Sequence, residues 1–145
     1  MEIAIDFDGT CVTHEYPGVG REIGAAPVLK KLTENGHKLI LFTMRSDGSE
    51  VEVSLNESGE ITGSKKGAKH LTDAIDWFGG HGIPLYGIQA NPSQKYWTSS
   101  PKAYAQLYID DAALGCPLKK SEDLNERPYV DWEAVSVLLQ GMGLI

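Results

Sequence analysis

The sequence predicts an α/β fold built on a parallel sheet. Two observations carry this: apolar runs bounded by turn residues alternate with segments of helical period, and polar residues gather at the ends of the apolar runs. The first run, Ile3–Phe7, reads as a buried strand that ends abruptly in "DFDGT", residues 6–10. An irregular connection over 11–24, with Pro17 and three glycines, leads to "AAPVLKKLTENG". There Val28, Leu29 and Leu32 share a helical face, and Gly36 supplies a C-terminal stop. "HKLILFT" is a second buried strand, ending at Thr43. The polar stretch that follows has alternating valines around 51–55, a turn at Asn56–Gly59, then Ile61 and Thr62. It predicts a β-hairpin near residues 50–63, standing off the core. A helix resumes near Ala68, with Leu71, Ala74, Ile75 and Phe78 at i, i+3, i+4 and i+7. "IPLYGIQA" gives a third strand, the Pro- and Ser-rich "NPSQKYWTSSP" a loop, and "AQLYI" a fourth strand running straight into Asp110 and Asp111. After a long loop rich in charge and proline, Asp131 is placed to cap a last helix with Val135, Leu138 and Leu139 facing inward.

At 145 residues the chain fits one domain, 1–145, long enough to bury a core without staples or a structural metal. Hydrophobic residues at 41% and charged ones at 23% suit a soluble globular protein, and no apolar run approaches the ~20 residues of a membrane span. The strand-like start offers no signal peptide. Cys11 and Cys116 are too few for a disulfide framework and not at zinc-ligand spacing, so the expectation is a cytoplasmic protein with no membrane contact. A net charge of −7 lacks the basic stripe of a general nucleic-acid groove. A small phosphorylated substrate or a single nucleic-acid end fits if positive charge is local. The oligomeric state is not readable from charge.

In an open parallel sheet, ligands bind outside the carboxyl ends of the strands. The sequence places Asp6 and Asp8 after strand one, Thr43 after strand two, and Asp110 and Asp111 after strand four. Clustered carboxylates repel one another and are costly to ionise when buried, so the arrangement calls for a cation, and an all-oxygen donor set suits Mg²⁺. A carboxylate is also a competent nucleophile toward phosphorus. Asp6, at the strand tip, would attack, while Asp8 would protonate the leaving oxygen and later deprotonate water. Gly9 would let backbone N–H groups reach the phosphoryl oxygens where a Cβ would obstruct them. The Thr43 hydroxyl and a lysine would hold the remaining oxygens, and Met44 and Arg45 join Gly9 as candidate phosphate- or substrate-binding residues.

"DFDGT", "LFTMRS" and "SPKAYAQLYIDD", in that order, resemble the four motifs of the haloacid dehalogenase (HAD) superfamily of phosphohydrolases, over Ile3 to about Pro117. The resemblance implies a Rossmann-like sheet, a nucleophile at Asp6, an acid/base at Asp8, a phosphate-binding Thr43 and a motif-three lysine. It also implies Mg²⁺ held by Asp6, the Asp8 backbone carbonyl and Asp110, with Asp111 orienting metal-bound water or ligating through it. Lys102, eight residues before Asp110, fits the spacing of small members; Lys95, in the preceding loop, is the alternative. Asp8 points to phosphate chemistry over dehalogenation, because the haloacid-cleaving members lack this acid. The short loop between Thr10 and Ala25, and the simple segment before Lys102, leave no room for a large cap domain. The hairpin lies in neither usual cap position, so the chain resembles a capless member. Such an enzyme would hydrolyse a phosphomonoester through an aspartyl-phosphate, with a deoxyribonucleotide slightly ahead of a sugar phosphate as substrate, and a nucleic-acid end or a phosphoprotein as alternatives.

Other residues carry two readings each. Arg45 is a surface residue or a ligand of the substrate phosphate. His14 and Tyr16 would wall an open site or face solvent, and Tyr96 and Trp97 would stack on a base or sugar or pack beneath their own loop. Lys65, Lys66 and Lys69 form a solvated helix start or, with the hairpin, a surface for a large phosphorylated partner. A phospho-acceptor receiver also uses an acidic pair, Mg²⁺, a Thr and a Lys, but in another order along the chain. A non-catalytic scaffold working through the hairpin is the remaining alternative.

Overall fold

The structure, a computed structural model, describes residues 1–48, 51–123 and 125–145, with side chains at 51, 52 and 64–66 outside the description. The chain runs β1 (Glu2–Ile5), α1 (Ala25–Glu34), β2 (Lys38–Leu41), β3 (Val51–Leu55), β4 (Ile61–Lys66) and α2 (His70–Gly80). It continues through β5 (Gly87–Ile88), a 3₁₀ turn (Gln94–Tyr96), β6 (Leu107–Ile109), β7 (Leu118–Lys119), β8 (Tyr129–Val130) and α3 (Trp132–Gly141). Four strands form a parallel sheet in the order β5-β2-β1-β6. The architecture is therefore α/β, a parallel sheet flanked by helices with two small antiparallel ribbons, and no large cap is evident among the described residues.

Both faces of the central strands β1 and β2 are buried, which is why these two read as continuous apolar runs. Ile3 sits beside Leu39 and Leu107, and Ile5 beside Leu41 and Ile109. These residues form one cluster with Leu29 and Leu32 of α1, Phe78 of α2, and Val135 and Leu139 of α3. Ala4 and Ile40 point to the other face and are equally buried. There the Tyr108 ring meets Phe42 edge-on at 6.5 Å, and its hydroxyl donates to the Ala103 carbonyl at 2.6 Å, so the 91–104 segment covers that face.

Several elements depart from the expected bounds. Pairing of β1 stops at Ile5 rather than Phe7, because the Phe7 carbonyl accepts from the N–H groups of Thr10, Cys11 and Val12 and turns the chain at once. Only Gly87–Ile88 of "IPLYGIQA" pairs as a strand, although Tyr86 N–H and Gln89 N–H still donate to Leu39 and Leu41 carbonyls at 2.7 Å. Asp131 caps α3 as expected, its carboxylate accepting from Glu133 and Ala134 N–H. Leu138, expected inside, is 54% exposed, because Val135 and Leu139 define the buried face and Leu138 lies about 100° round the helix from it. The expected hairpin is present as β3–β4, paired from Val51↔Lys66 to Leu55↔Ile61. It closes at its base through Gly48 N–H to the Ala68 carbonyl, and Val53, Leu55 and Ile61 are exposed. The side chains of Lys65 and Lys66 lie outside the described residues. The β7–β8 ribbon has no counterpart in the sequence reading. It is tied to the first motif by Val130 N–H donating to the Gly9 carbonyl at 2.9 Å. Among the described residues, no helix is long and apolar enough to cross a membrane.

Candidate active site

From β1 the chain builds the sheet first to one side, through β2 and β5, and then to the other, through β6. That reversal opens a crevice beyond the carboxyl ends of β1 and β6, where an open α/β sheet places its ligands. Asp6 and Asp110 follow those two strand ends directly, and Asp6 N–H still donates to the Ile109 carbonyl at 3.0 Å. A cavity of about 470 Å³ lies there, with Asp6, Asp8, Thr43, Arg45, Asp110 and Asp111 in its wall.

Asp6, Asp110 and Asp111 each bring an oxygen within 4.8 Å of the others. Thr10, fully buried, links two of them: its hydroxyl lies 3.0 Å from Asp6 Oδ2 and 3.4 Å from Asp111 Oδ1, and it accepts from Asp111 N–H at 3.0 Å. Its carbonyl accepts from Trp132 Nε1–H at 2.7 Å, so the start of α3 anchors the turn. Burial pushes the Asp6 carboxyl up from 3.8 to about 7, and the charges of Asp110 and Asp111 push it the same way against hydrogen bonds from Phe7 N–H and Thr10. A divalent cation fits this donor set of three carboxylates and no soft ligand, one of which, Asp6, is pushed toward its neutral form by burial.

Asp8 points elsewhere. Arg45, 1% exposed, pairs with both its oxygens, from Nε to Oδ2 and from Nη2 to Oδ1 at 2.7 Å each. The same guanidinium donates to the carbonyls of Pro17 at 3.2 Å, His70 at 3.2 Å and Gly18 at 2.6 Å. It is stacked near the rings of Phe7 and Tyr16. All five N–H groups of the side chain are thereby used. Arg45 is neither a surface residue nor free to bind a phosphate; it is the fixed counter-ion of Asp8.

Thr43 lies in the wall of the cavity, with its oxygen accepting from Arg45 N–H at 3.1 Å and its hydroxyl hydrogen left for a ligand among the described residues. Gln89, which the sequence reading passed over, clamps this turn. It accepts from Thr43 N–H at 3.0 Å and donates to the carbonyls of Thr43 and Arg45 at 2.7 and 2.9 Å. Met44 and Tyr16 also line the cavity, and Met44 is 98% exposed.

Gly9 has a different task from the expected one. Its N–H is spent on the Val12 carbonyl at 2.7 Å, so it does not point at a phosphate. Its φ is +79°, and a Cβ there would collide with the His14 ring and stand 2.8 Å from Asp111 Oδ2. The missing side chain makes the slot that seats His14, whose Nε2 lies 3.1 Å from Asp111 Oδ2 but off the line of a hydrogen bond.

The structure does not bring either expected lysine into the cavity wall. Lys102 Nζ stands over the Tyr108 ring, 5.5 Å from its centroid, and Lys95 Nζ over Tyr96 at 5.0 Å. Tyr96 and Trp97 are exposed in that same loop, away from the wall. Besides Arg45, the arginine in the cavity wall among the described residues is Arg127, from the loop between β7 and β8. No local pattern marks it in the sequence. Among the partners of Asp110, Ala112 N–H donates to its Oδ1 at 2.8 Å, which fixes the carboxylate at the strand end.

No family model and no curated protein matches the chain. Among solved structures it is similar to a conserved protein coded by a locus of Bacteroides thetaiotaomicron. The two are 29% identical, with a TM-score of 0.68 over 98% of this chain and 91% of that one. That description names no activity, and the likeness speaks to the fold.

Proposed function

We propose that the chain is a Mg²⁺-dependent phosphomonoester hydrolase of the haloacid dehalogenase type, with a Rossmann-like sheet and Asp6 as nucleophile. The observation that carries the reading is the convergence of Asp6, Asp110 and Asp111 at the crevice between β1 and β6, with Asp8 in the same wall. The motif order described above supports it. Asp6, Asp110 and Asp111 would hold the metal, which when bound supplies charge neutralisation for the phosphoryl oxygens and keeps Asp6 ionised.

The rest falls to the chain's own residues. Asp6 attacks phosphorus, forming an aspartyl-phosphate as the P–O bond to the leaving group breaks; Thr10 orients its carboxylate and Thr43 donates to a phosphoryl oxygen. Water then attacks phosphorus, the bond from Asp6 to phosphorus breaks, and Asp8 accepts the water's proton. Arg45 pairs with both Asp8 oxygens and fixes where this carboxylate stands. In the first step a protonated Asp8 gives its proton to the leaving oxygen, and the carboxylate so formed, still paired with Arg45, is the group that later takes the proton from water. The test is phosphate release from sugar phosphates, nucleotides, phosphopeptides and 5′- or 3′-phosphorylated oligonucleotides, with and without Mg²⁺. Turnover that needs Mg²⁺ and is lost in Asp6→Asn is expected. Turnover indifferent to Asp6 rejects the reading.

A further inference from the structure

We infer that Arg127 is the side chain that binds the phosphoryl oxygens, and that the leaving group extends past it into an adjoining polar lobe fitted to a sugar phosphate rather than a nucleotide. This rests on the phosphatase reading of Asp6 and goes beyond it in naming the anion ligand and the substrate class.

Four carboxylates line the cavity, so an incoming phosphate needs positive charge there besides a metal. Arg45 has no N–H left to offer, and Lys102 and Lys95 stand over tyrosine rings outside the wall. Arg127 is the remaining cation in the wall, and among the described residues its guanidinium makes no hydrogen bond or ion pair. The ribbon that carries it is fixed at its base by Val130 N–H to the Gly9 carbonyl and Asp131 N–H to the Pro117 carbonyl, both 2.9 Å. Its fork of donors suits phosphate.

A lobe of about 460 Å³ shares His14 and Arg127 with the first cavity, so the two meet at these residues. Glu15, Ser121, Asp123 and Asn125 form its wall, while Arg21 is tied to Glu126 at 3.3 Å. Among the described residues His14 is the one ring in its lining, and its side chain is 13% exposed in the slot beside Asp111, so a nucleobase finds little to stack on there. Carboxylate, amide and hydroxyl oxygens accept hydrogen bonds from sugar hydroxyls, and the two unpaired acids repel a second phosphate.

Kinetics with glucose 6-phosphate, ribose 5-phosphate, AMP and 4-nitrophenyl phosphate in the presence of Mg²⁺, on wild type, Arg127→Ala, Arg127→Lys and Glu15→Gln, test this. Calorimetric binding of glucose 6-phosphate to Asp6→Asn and to Asp6→Asn with Arg127→Ala supplies a readout independent of turnover. Expected are a kcat/KM for the sugar phosphates at least tenfold above AMP, and a tenfold or greater loss in Arg127→Ala, partly restored by Lys. Glu15→Gln should raise KM for glucose 6-phosphate more than for 4-nitrophenyl phosphate. AMP preferred over both sugars, or kinetics and binding indifferent to Arg127, overturns the inference and leaves Asp6 as nucleophile standing. No binding of glucose 6-phosphate to Asp6→Asn also overturns it, whereas turnover that survives Asp6→Asn removes the reading beneath it.

Discussion

Removing the Arg45 side chain would leave the Asp8 carboxylate without its counter-ion and the carbonyls of Pro17, Gly18 and His70 without their donor. Breaking a buried pair by deleting one partner costs ~3–5 kcal/mol, so Arg45→Met should lower the urea midpoint sharply without changing the slope. Arg45→Lys should recover little of this, because an ammonium cannot make the paired contact to both Asp8 oxygens and reach three carbonyls. Gly9→Ala should be harmful for another reason: the added Cβ meets the His14 ring and crowds Asp111 at a positive φ. Mn²⁺ binding followed by electron paramagnetic resonance should weaken in Gly9→Ala, and unchanged affinity would separate the His14 slot from the carboxylate cluster. Asp6, Asp8, Asp110 and Asp111 were legible because each sits in or beside a strand end, where chemistry and local pattern coincide. Arg45 and Arg127 were not, because what they do depends on groups distant in the chain. Arg45 meets a carboxylate 37 positions away, and Arg127 arrives through a ribbon with no sequence signature.

At the level of elements, α1, α2 and α3 followed from apolar periodicity and the hairpin from alternation bounded by a turn. The β7–β8 ribbon escaped because strands of two residues inside a charged loop carry no period, and β5 was overlong in expectation because apolar residues flank its two paired positions. Asp131 was legible as a cap, and Asp131→Ala should cost ~1 kcal/mol and lower Tm by about 2–4 °C, measured by circular dichroism. The hairpin makes its pairings within itself and leaves Val53, Leu55 and Ile61 exposed, while Asp47 and Lys69 already bridge at its base. Replacing residues 51–66 with a short glycine linker should therefore shift Tm by less than about 4 °C, the effect of roughly 1 kcal/mol. A larger loss would mean that the ribbon supports the body.

Across the whole molecule, the sheet order fixes where the carboxylates meet, and their meeting couples the site to stability. Asp6 is pushed from 3.8 to about 7 by burial, so between those values the metal-free native protein holds a proton that the unfolded chain has released. The corresponding stabilisation is complete below the unfolded value and lost as pH rises through about 7. Metal-free wild type should thus lose Tm between pH 5 and pH 8, and Asp6→Asn should remove that part of the slope. Added Mg²⁺ should raise Tm at pH 8 in wild type and by less in Asp6→Asn, where Asp110, Asp111 and an amide oxygen remain, since a ligand stabilises only the state that binds it.

A rapid acid quench during turnover of 4-nitrophenyl phosphate, followed by borohydride reduction and peptide mass spectrometry, reads out whether Asp6 becomes phosphorylated. An acyl phosphate at Asp6 is reduced to homoserine at position 6, in samples with Mg²⁺ and not in those without it. Phosphate release in the same samples with homoserine at another aspartate, or at none, would contradict the account.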